Sequence, residues 1–177
     1  MPKLMKLITA FSFIATILSA ILFYRFNKSI YLTLAVTFGT VSYHLGIRLL
    51  VGLFYNTIMN NHADYTQKWY QIHPWENKLY QLLKVKTWKG RMPSYNPEIF
   101  SNQKHTWDEI AQAMCQSELV HETNIILSFI PLTASIYFGS FYVFLITSIC
   151  GVIFDLLFVI IQRYNRPRIV KIALRQK

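Results

Sequence analysis

Residues 139–161, GSFYVFLITSICGVIFDLLFVII, decide the fold of this chain. An apolar run of about 20 residues is long enough to cross the hydrocarbon core of a bilayer as a helix. The run is followed by Gln162-Arg163-Tyr164-Asn165-Arg166-Pro167-Arg168, which places three arginines where lipid headgroups begin. Positive charge at this depth suits a simple membrane anchor as well as a site for an anionic group, so the arginines alone do not select a function.

Three further apolar segments precede this run, at residues 7–24, 30–59 and 123–138. The first follows Lys3 and Lys6 without a cleavage site of the Ala-x-Ala kind before Arg25, so we expect a retained span rather than a signal peptide. Pro131 is expected to kink the third span or to mark the point where it enters the membrane. The chain is therefore predicted to be an all-α integral membrane protein with about four transmembrane helices, a single membrane domain over residues 1–177.

Charge predicts how these spans are oriented. The chain has 53% hydrophobic residues and carries 18 Lys and Arg against 8 Asp and Glu. The excess positive charge lies beside long apolar segments, which indicates an anionic membrane surface as the partner rather than nucleic acid. With a cytoplasmic N-terminus, fifteen of the 18 basic residues face the cytoplasm, only Arg25 and Lys28 face the other side, and Arg48 lies within the second span. We expect a multi-pass protein of the cell membrane with both termini and the loop of residues 60–122 in the cytoplasm.

The loop of residues 60–122 is predicted to be helical in two places. Pro74 suits the first turn of a helix, and apolar residues recur at helical spacing from Trp75 to Leu83, which predicts an amphipathic helix lying on the membrane. Thr106-Trp107-Asp108-Glu109 has the spacing of a capping box, so a second helix is expected to begin near Trp107 and to continue into the third span.

Three polar residues where this helix enters the membrane are candidates for chemistry. Glu118, His121 and Glu122 share one helical face. A carboxylate beside an imidazole holds the ring in one tautomer and leaves its other nitrogen to take a proton from a hydroxyl. The alternatives are a solvated helix start and one half of a di-iron motif, whose second half is missing. No metal site is predicted.

A second polar group lies inside the spans. His44 and Arg48 are one helical turn apart in the second span, and Asp155 interrupts the fourth. Ionisable groups at membrane depth are costly and face a bundle interior, a cavity or each other. Two interpretations stay open: a functional site, or a buried polar network in which Asp155 neutralises Arg48.

Four motifs resemble, in their order along the chain, the small membrane family of glycosyl-4,4'-diaponeurosporenoate acyltransferases. They are Trp75-Glu76, then Val85-Lys86-Thr87-Trp88-Lys89 with Pro93, then Glu118-Leu119-Val120-His121, and the Gln162 to Arg168 string. Such enzymes complete staphyloxanthin-type carotenoids by esterifying a sugar hydroxyl with a fatty acyl chain. The resemblance covers residues 75–168, and it implies a membrane acyltransferase acting on a glycosylated carotenoid or a related glycolipid.

The resemblance also implies roles for individual residues. His121 becomes the candidate general base on the sugar hydroxyl, with Glu118 orienting it. The remaining candidates are substrate-binding residues that hold the anionic part of the donor, stabilise an oxyanion or donate a hydrogen bond: Trp88, Lys89, Arg163, Asn165, Arg166 and Arg168.

The expected partners are membrane lipids, a glycosylated lipid acceptor and an acyl donor. Binding of nucleic acid is not expected. The donor is a co-substrate, acyl-CoA, acyl carrier protein or a phospholipid, so no cofactor is expected. Four spans make a thin bundle, and a homodimer would help to enclose the site.

Two other functions remain as alternatives. A small membrane methyltransferase would need a nucleotide-cofactor pocket after the spans, and only nine residues follow Arg168. A non-enzymatic accessory or immunity protein would use its arginines and tryptophans only to set its depth in the membrane.

Overall fold

A computed structural model describes residues 2–176, which form helices and turns without a strand. Four helical segments are long and apolar enough to cross a membrane: Pro2–Phe26, Ser29–Met59, Trp107–Phe138 and Phe141–Arg175. The prediction of an all-α membrane protein with four spans is confirmed.

The elements follow the order expected from the sequence. Two long helices come first, α1 (Pro2–Phe26) and α2 (Ser29–Met59). The connecting region holds the shorter α3 (Pro74–Leu82) and α4 (Val85–Trp88), with 3-10 turns at Lys68–Tyr70, Lys89–Arg91 and Pro97–Phe100. The chain continues through α5 (Trp107–Leu127), a 3-10 turn at Ile130–Ala134, α6 (Ser135–Phe138) and α7 (Phe141–Arg175).

Local capping explains where the helices of the connecting region begin. Pro74 is the first residue of α3, and the backbone N–H of His73 donates to Glu76 Oε1 at 3.0 Å. At α5 the backbone N–H of Thr106 donates to Glu109 Oε2 at 2.8 Å, and that of Glu109 donates to Thr106 Oγ1 at 3.3 Å. The capping box and the helix start at Trp107 are confirmed. The placement of α3 on the membrane surface stays a prediction.

The third span is interrupted near Pro131. The α-helical hydrogen bonds of α5 end at Leu127, and Pro131 lies in the 3-10 turn that follows. Proline has no N–H to donate within a helix and its ring crowds the preceding turn, so an α-helix rarely continues through it.

The last helix is longer than the sequence predicted. We expected the fourth span to end at Ile161, but α7 continues to Arg175 and contains Pro167. The Gln162 to Arg168 string is therefore helical, which fits its content of good helix formers such as glutamine and arginine. Residues three or four positions apart in this string therefore lie on the same face of α7.

The chain divides into two compact units. The first comprises Met1–Val51 and Asn124–Ile153, and the second comprises Gly52–Thr123 and Phe154–Lys177. The second unit contains two small apolar clusters, one around Ala63, Tyr70 and Cys115 and the other around Tyr80, Val85 and Ile160.

Polar groups inside the first unit meet at a glycine. Arg48 donates through Nη1 to the carbonyl of His44 and through Nη2 to the carbonyl of Gly151 at 3.1 Å. A Cβ atom on Gly151 would lie 3.1 Å from both Arg48 Nη2 and Ser128 Oγ. His44 and Arg48 thus share a polar cluster within this unit. Asp155 belongs to the second unit, and the pairing of Arg48 with Asp155 stays a prediction.

This close approach makes Gly151 sensitive to substitution. Replacing a glycine inside a helix by alanine normally stabilises the helix by about 1 kcal/mol. At Gly151 the added methyl group meets a guanidinium that two carbonyls hold in place, and such overpacking costs about 1–3 kcal/mol. We expect Gly151→Ala to lower the thermal unfolding temperature of the purified protein.

Gly52→Ala is the matched control, because a Cβ atom at Gly52 meets nothing within 4 Å in α2. It should leave the unfolding temperature unchanged or raise it. An equal response of the two variants would show that the Arg48 cluster tolerates the methyl group.

Candidate active site

A histidine and a buried carboxylate are in contact in the second unit. Nδ1 of His121 on α5 lies 2.9 Å from Oδ1 of Asp155 on α7. The Asp155 side chain is fully buried, whereas 20% of the His121 side chain is exposed. A carboxylate can only accept a hydrogen bond, so this contact assigns the proton to Nδ1 and leaves Nε2 as the nitrogen that accepts a proton.

An aromatic ring fixes the plane of this imidazole. Phe158 lies one turn after Asp155 on α7, and its ring stacks on His121 with centroids 4.7 Å apart and planes 9° from parallel. The ring is held at one edge by Asp155 and on one face by Phe158. Only rotations that break one of these contacts can turn it.

The carboxylate at His121 differs from the sequence-based expectation. We expected Glu118 to orient His121, but the two oxygens of Glu118 accept hydrogen bonds from Arg163 and Arg166. Asp155, for which the sequence left open both a functional site and a network with His44 and Arg48, makes a contact to His121. The useful signal was its position as the single acidic residue in a long apolar run.

Arg163 is bonded through all five of its N–H donors. Nε and Nη2 donate to the two oxygens of Glu76, each at 2.8 Å, and Nη1 donates to Glu118 Oε1 at 2.6 Å. The remaining two donors reach the carbonyls of Trp69 at 3.1 Å and Gln71 at 3.0 Å. Because a guanidinium has five N–H groups, no donor remains for a substrate. These contacts favour a structural role for Arg163.

Arg166 is enclosed in the same network. Its side chain is 2% exposed, and it donates to Glu118 Oε2 and to the carbonyl of Tyr70. Its guanidinium also lies 5.1 Å from the centroid of the Tyr70 ring, and burial raises the pKa of Tyr70 to about 12. Arg166 therefore also joins the connecting region to α5 and α7.

Glu76 is a residue of this network to which the sequence analysis assigned no role. Burial alone would raise the pKa of Glu76, but hydrogen bonds from Arg163, from the backbone of His73 and from Tyr80 lower it to about 2. Tyr80 donates its hydroxyl to Glu76 Oε2 at 2.5 Å. The available signal was the Trp75-Glu76 motif of the family resemblance, which names the residue without its partner.

The remaining substrate-binding candidates gather around Tyr164. Lys89 donates to Asn165 Oδ1, and its Nζ lies 4.7 Å from the centroid of the Tyr164 ring. Arg168 lies 4.9 Å from the same centroid and donates to the Tyr164 hydroxyl at 3.2 Å. Trp88 donates its indole N–H at 2.9 Å to a backbone carbonyl, so its polar edge is already occupied. Asn165 therefore acts as an acceptor for Lys89, where the sequence suggested a donor.

Within residues 2–176, no group of three or more His, Cys, Asp or Glu side chains is placed to hold a metal ion.

The different surroundings of the arginines predict different responses to substitution. Removing one partner of a buried ion pair costs about 3–5 kcal/mol, because the other charge stays buried without compensation. A lysine at position 163 has three donors on one nitrogen and cannot reproduce a five-donor fork. We expect Arg163→Lys to lower the free energy of unfolding by about 3 kcal/mol, measured by thermal or denaturant unfolding in detergent.

Arg168→Lys is the matched control. Arg168 is exposed, so this substitution should change the free energy of unfolding of the protein by less than about 1 kcal/mol. Equal losses at the two positions would contradict the structural role given to Arg163.

A comparison with known protein families matches the part of the chain that contains this site. The family model described as glycosyl-4,4'-diaponeurosporenoate acyltransferase matches residues 66–175. That stretch contains the complete site of the second unit described above, and it excludes His44 and Arg48. No curated protein and no solved structure matches the chain.

A match over more than half of the chain favours the acyltransferase prediction over the methyltransferase and accessory-protein alternatives. The motifs that suggested the family from the sequence all lie within the matched residues. The chain belongs to the glycosyl-4,4'-diaponeurosporenoate acyltransferase family and is a membrane acyltransferase of carotenoid biosynthesis.

Proposed function

We propose that the chain transfers a fatty acyl group to a hydroxyl on the sugar of a glycosylated carotenoid, or of a related glycolipid, with His121 as the general base. The observation that supports this most directly is the contact between His121 Nδ1 and the buried Asp155 Oδ1. It gives the imidazole the tautomer and the partner that a base acting on a hydroxyl needs.

The proton movements follow from this arrangement. His121 Nε2 takes the proton of the sugar hydroxyl while its oxygen attacks the acyl carbonyl of the donor and forms the new C–O bond. The imidazolium that results is stabilised by the carboxylate of Asp155. When the tetrahedral intermediate collapses, the bond to the leaving group breaks and the imidazolium returns the proton to it. General base catalysis of this kind accelerates a reaction by a factor of about 10²–10⁴.

The four basic residues among the substrate-binding candidates divide into two groups under this proposal. Arg163 and Arg166 donate to carboxylates and backbone carbonyls, and they keep the connecting region against α5 and α7. Lys89 and Arg168 form no ion pair with a carboxylate within residues 2–176. We assign these two cations to substrate binding. Asn165 positions Lys89, and Trp88 is its neighbour in the chain.

The location and partners of the enzyme form part of the same proposal. The bias of lysine and arginine supports a cell membrane protein whose termini and connecting region face the cytoplasm. Its partners are then membrane lipids, an acceptor whose tail lies in the membrane, and an acyl donor acting as co-substrate without a separate cofactor. A homodimer would add surface around the second unit.

Lipid mass spectrometry of membranes supplied with glycosylated carotenoid tests the proposal. The wild-type chain should produce a species heavier by one fatty acyl group, and His121→Ala should lower its rate of formation by about 10²-fold or more, because the base is removed. His105→Ala is the control, since His105 is a partly exposed histidine that pairs with Glu109 outside this site.

Protein content of the membranes should be measured for all three chains, so that loss of activity is separated from loss of protein. Wild-type rates in a well-folded His121→Ala variant would contradict the assignment of the base. Absence of any acylated glycolipid with the wild-type chain would contradict the proposed acceptor.

A further inference from the structure

We propose that Lys89 and Arg168, which both lie on the Tyr164 ring, bind the phosphate of a phosphopantetheine thioester together with the neighbouring Lys86. The acyl donor is then a thioester of coenzyme A or of acyl carrier protein and not a membrane phospholipid. This inference rests on the proposed function and names the chemical class of its donor.

The Tyr164 ring gives these cations a fixed position. Its edge meets the ring of Tyr80 with centroids 5.7 Å apart at 85°, and it packs beside the apolar cluster of Tyr80, Val85 and Ile160. Lys89 and Arg168 each lie within 5 Å of the ring centroid, a distance at which a cation is attracted to the ring. The ring therefore holds two cations close together without neutralising either.

The charged groups around Lys89 suit the binding of an anion. Burial lowers the pKa of Lys89 and the Tyr164 hydroxyl opposes this, while the like charges of Arg168 and Lys86 lower the pKa further. Arg163, by contrast, is surrounded by the carboxylates of Glu76 and Glu118. A phosphate among Lys86, Lys89 and Arg168 would remove the mutual repulsion and accept charge-assisted hydrogen bonds.

The spacing along α7 selects the kind of phosphate compound. Asp155 marks the reactive centre at His121, and Tyr164 marks the cation group nine positions later in the same helix. Nine residues of an α-helix rise by about 14 Å and make about two and a half turns, so Tyr164 and Asp155 lie on opposite faces of α7. In a glycerophospholipid only the short glycerol unit separates the phosphate from the ester carbonyl. In a phosphopantetheine thioester the whole pantetheine arm separates the phosphate from the acyl carbonyl, and this longer reach suits both the rise and the path around the helix.

Equilibrium binding to the purified full-length protein in detergent tests the site without depending on catalysis. The probes are coenzyme A, 4'-phosphopantetheine, and pantetheine, which lacks phosphate. We expect Lys89→Gln and Arg168→Gln each to weaken binding of the two phosphate compounds by about tenfold or more, because each removes a charged donor. Binding of pantetheine should not change, and His121→Ala should bind all three probes like the wild type.

Lys78→Gln is the matched control, because Lys78 is an exposed lysine on α3 and loses the same charge. Its affinity for coenzyme A should stay within about twofold of the wild type. An equal loss in Lys78→Gln, or phosphate compounds that bind no better than pantetheine, would overturn the proposal.

Transfer assays then identify the source of the donor. Acyl-coenzyme A, acyl-acyl carrier protein and phospholipid vesicles are offered separately with the glycosylated acceptor. We expect one of the two thioesters to react, with Lys89→Gln raising its KM about tenfold or more while kcat changes less. Transfer from the phospholipid vesicles at equal rates in wild type and Lys89→Gln would overturn the proposal.

The two arms separate this inference from the proposed function. Phosphate-dependent binding that needs Lys89 and Arg168, without transfer from any donor, would support the anion site and contradict the acyl transfer. If acyl transfer continues but the phosphate compounds bind no better than pantetheine, the proposed function is supported and the anion site is contradicted.

Discussion

The five hydrogen bonds of Arg163 are the constraint on which the second unit depends. Taking a guanidinium out of water is costly, and the cost is recovered only when every N–H group finds a partner. Two of those partners belong to Glu76, one to Glu118, and two are carbonyls of residues 69 and 71. Arg163 thereby ties α7 to α5 and to the connecting region at the same time.

The active-site contact lies on the same pair of helices. Arg163 and Asp155 are both on α7, and Glu118 and His121 are both on α5. The ion pairs of Glu118 with Arg163 and Arg166 fix how these two helices face each other about two turns from Asp155. The contact of 2.9 Å between His121 and Asp155 follows from that fixed packing. The arginines that fix this packing therefore also set the geometry of the contact between His121 and Asp155, and Arg163 uses all five of its donors in doing so.

The sequence predicted the features that are set by neighbouring residues. The four spans follow from long apolar runs, and the starts of α3 and α5 follow from Pro74 and from the Thr106 to Glu109 capping box. The family was also recognisable from its motifs. Each of these features can be read from a few consecutive residues or from the average polarity of one segment.

The sequence did not predict which distant residues pair with each other. Glu118 was the expected partner of His121 and Asp155 a candidate partner of Arg48, and spacing on a helix cannot decide between residues that are far apart in the chain. The helix spacing of Glu118 and His121 suggested a pair, but two arginines of α7 compete for the carboxylate and provide several charged hydrogen bonds. The same competition separates Arg163 and Arg166 from Arg168, which the sequence placed in one group.

The measurement that most directly tests the central claim is a double-mutant cycle between His121 and Asp155. Single-turnover rates of acyl transfer would be compared for the wild type, His121→Ala, Asp155→Asn and the double variant. If Asp155 acts through the imidazole, Asp155→Asn slows the wild type strongly and causes no further loss when His121 is already alanine. Losses that multiply in the double variant would contradict the account, because Asp155 would then act independently of His121.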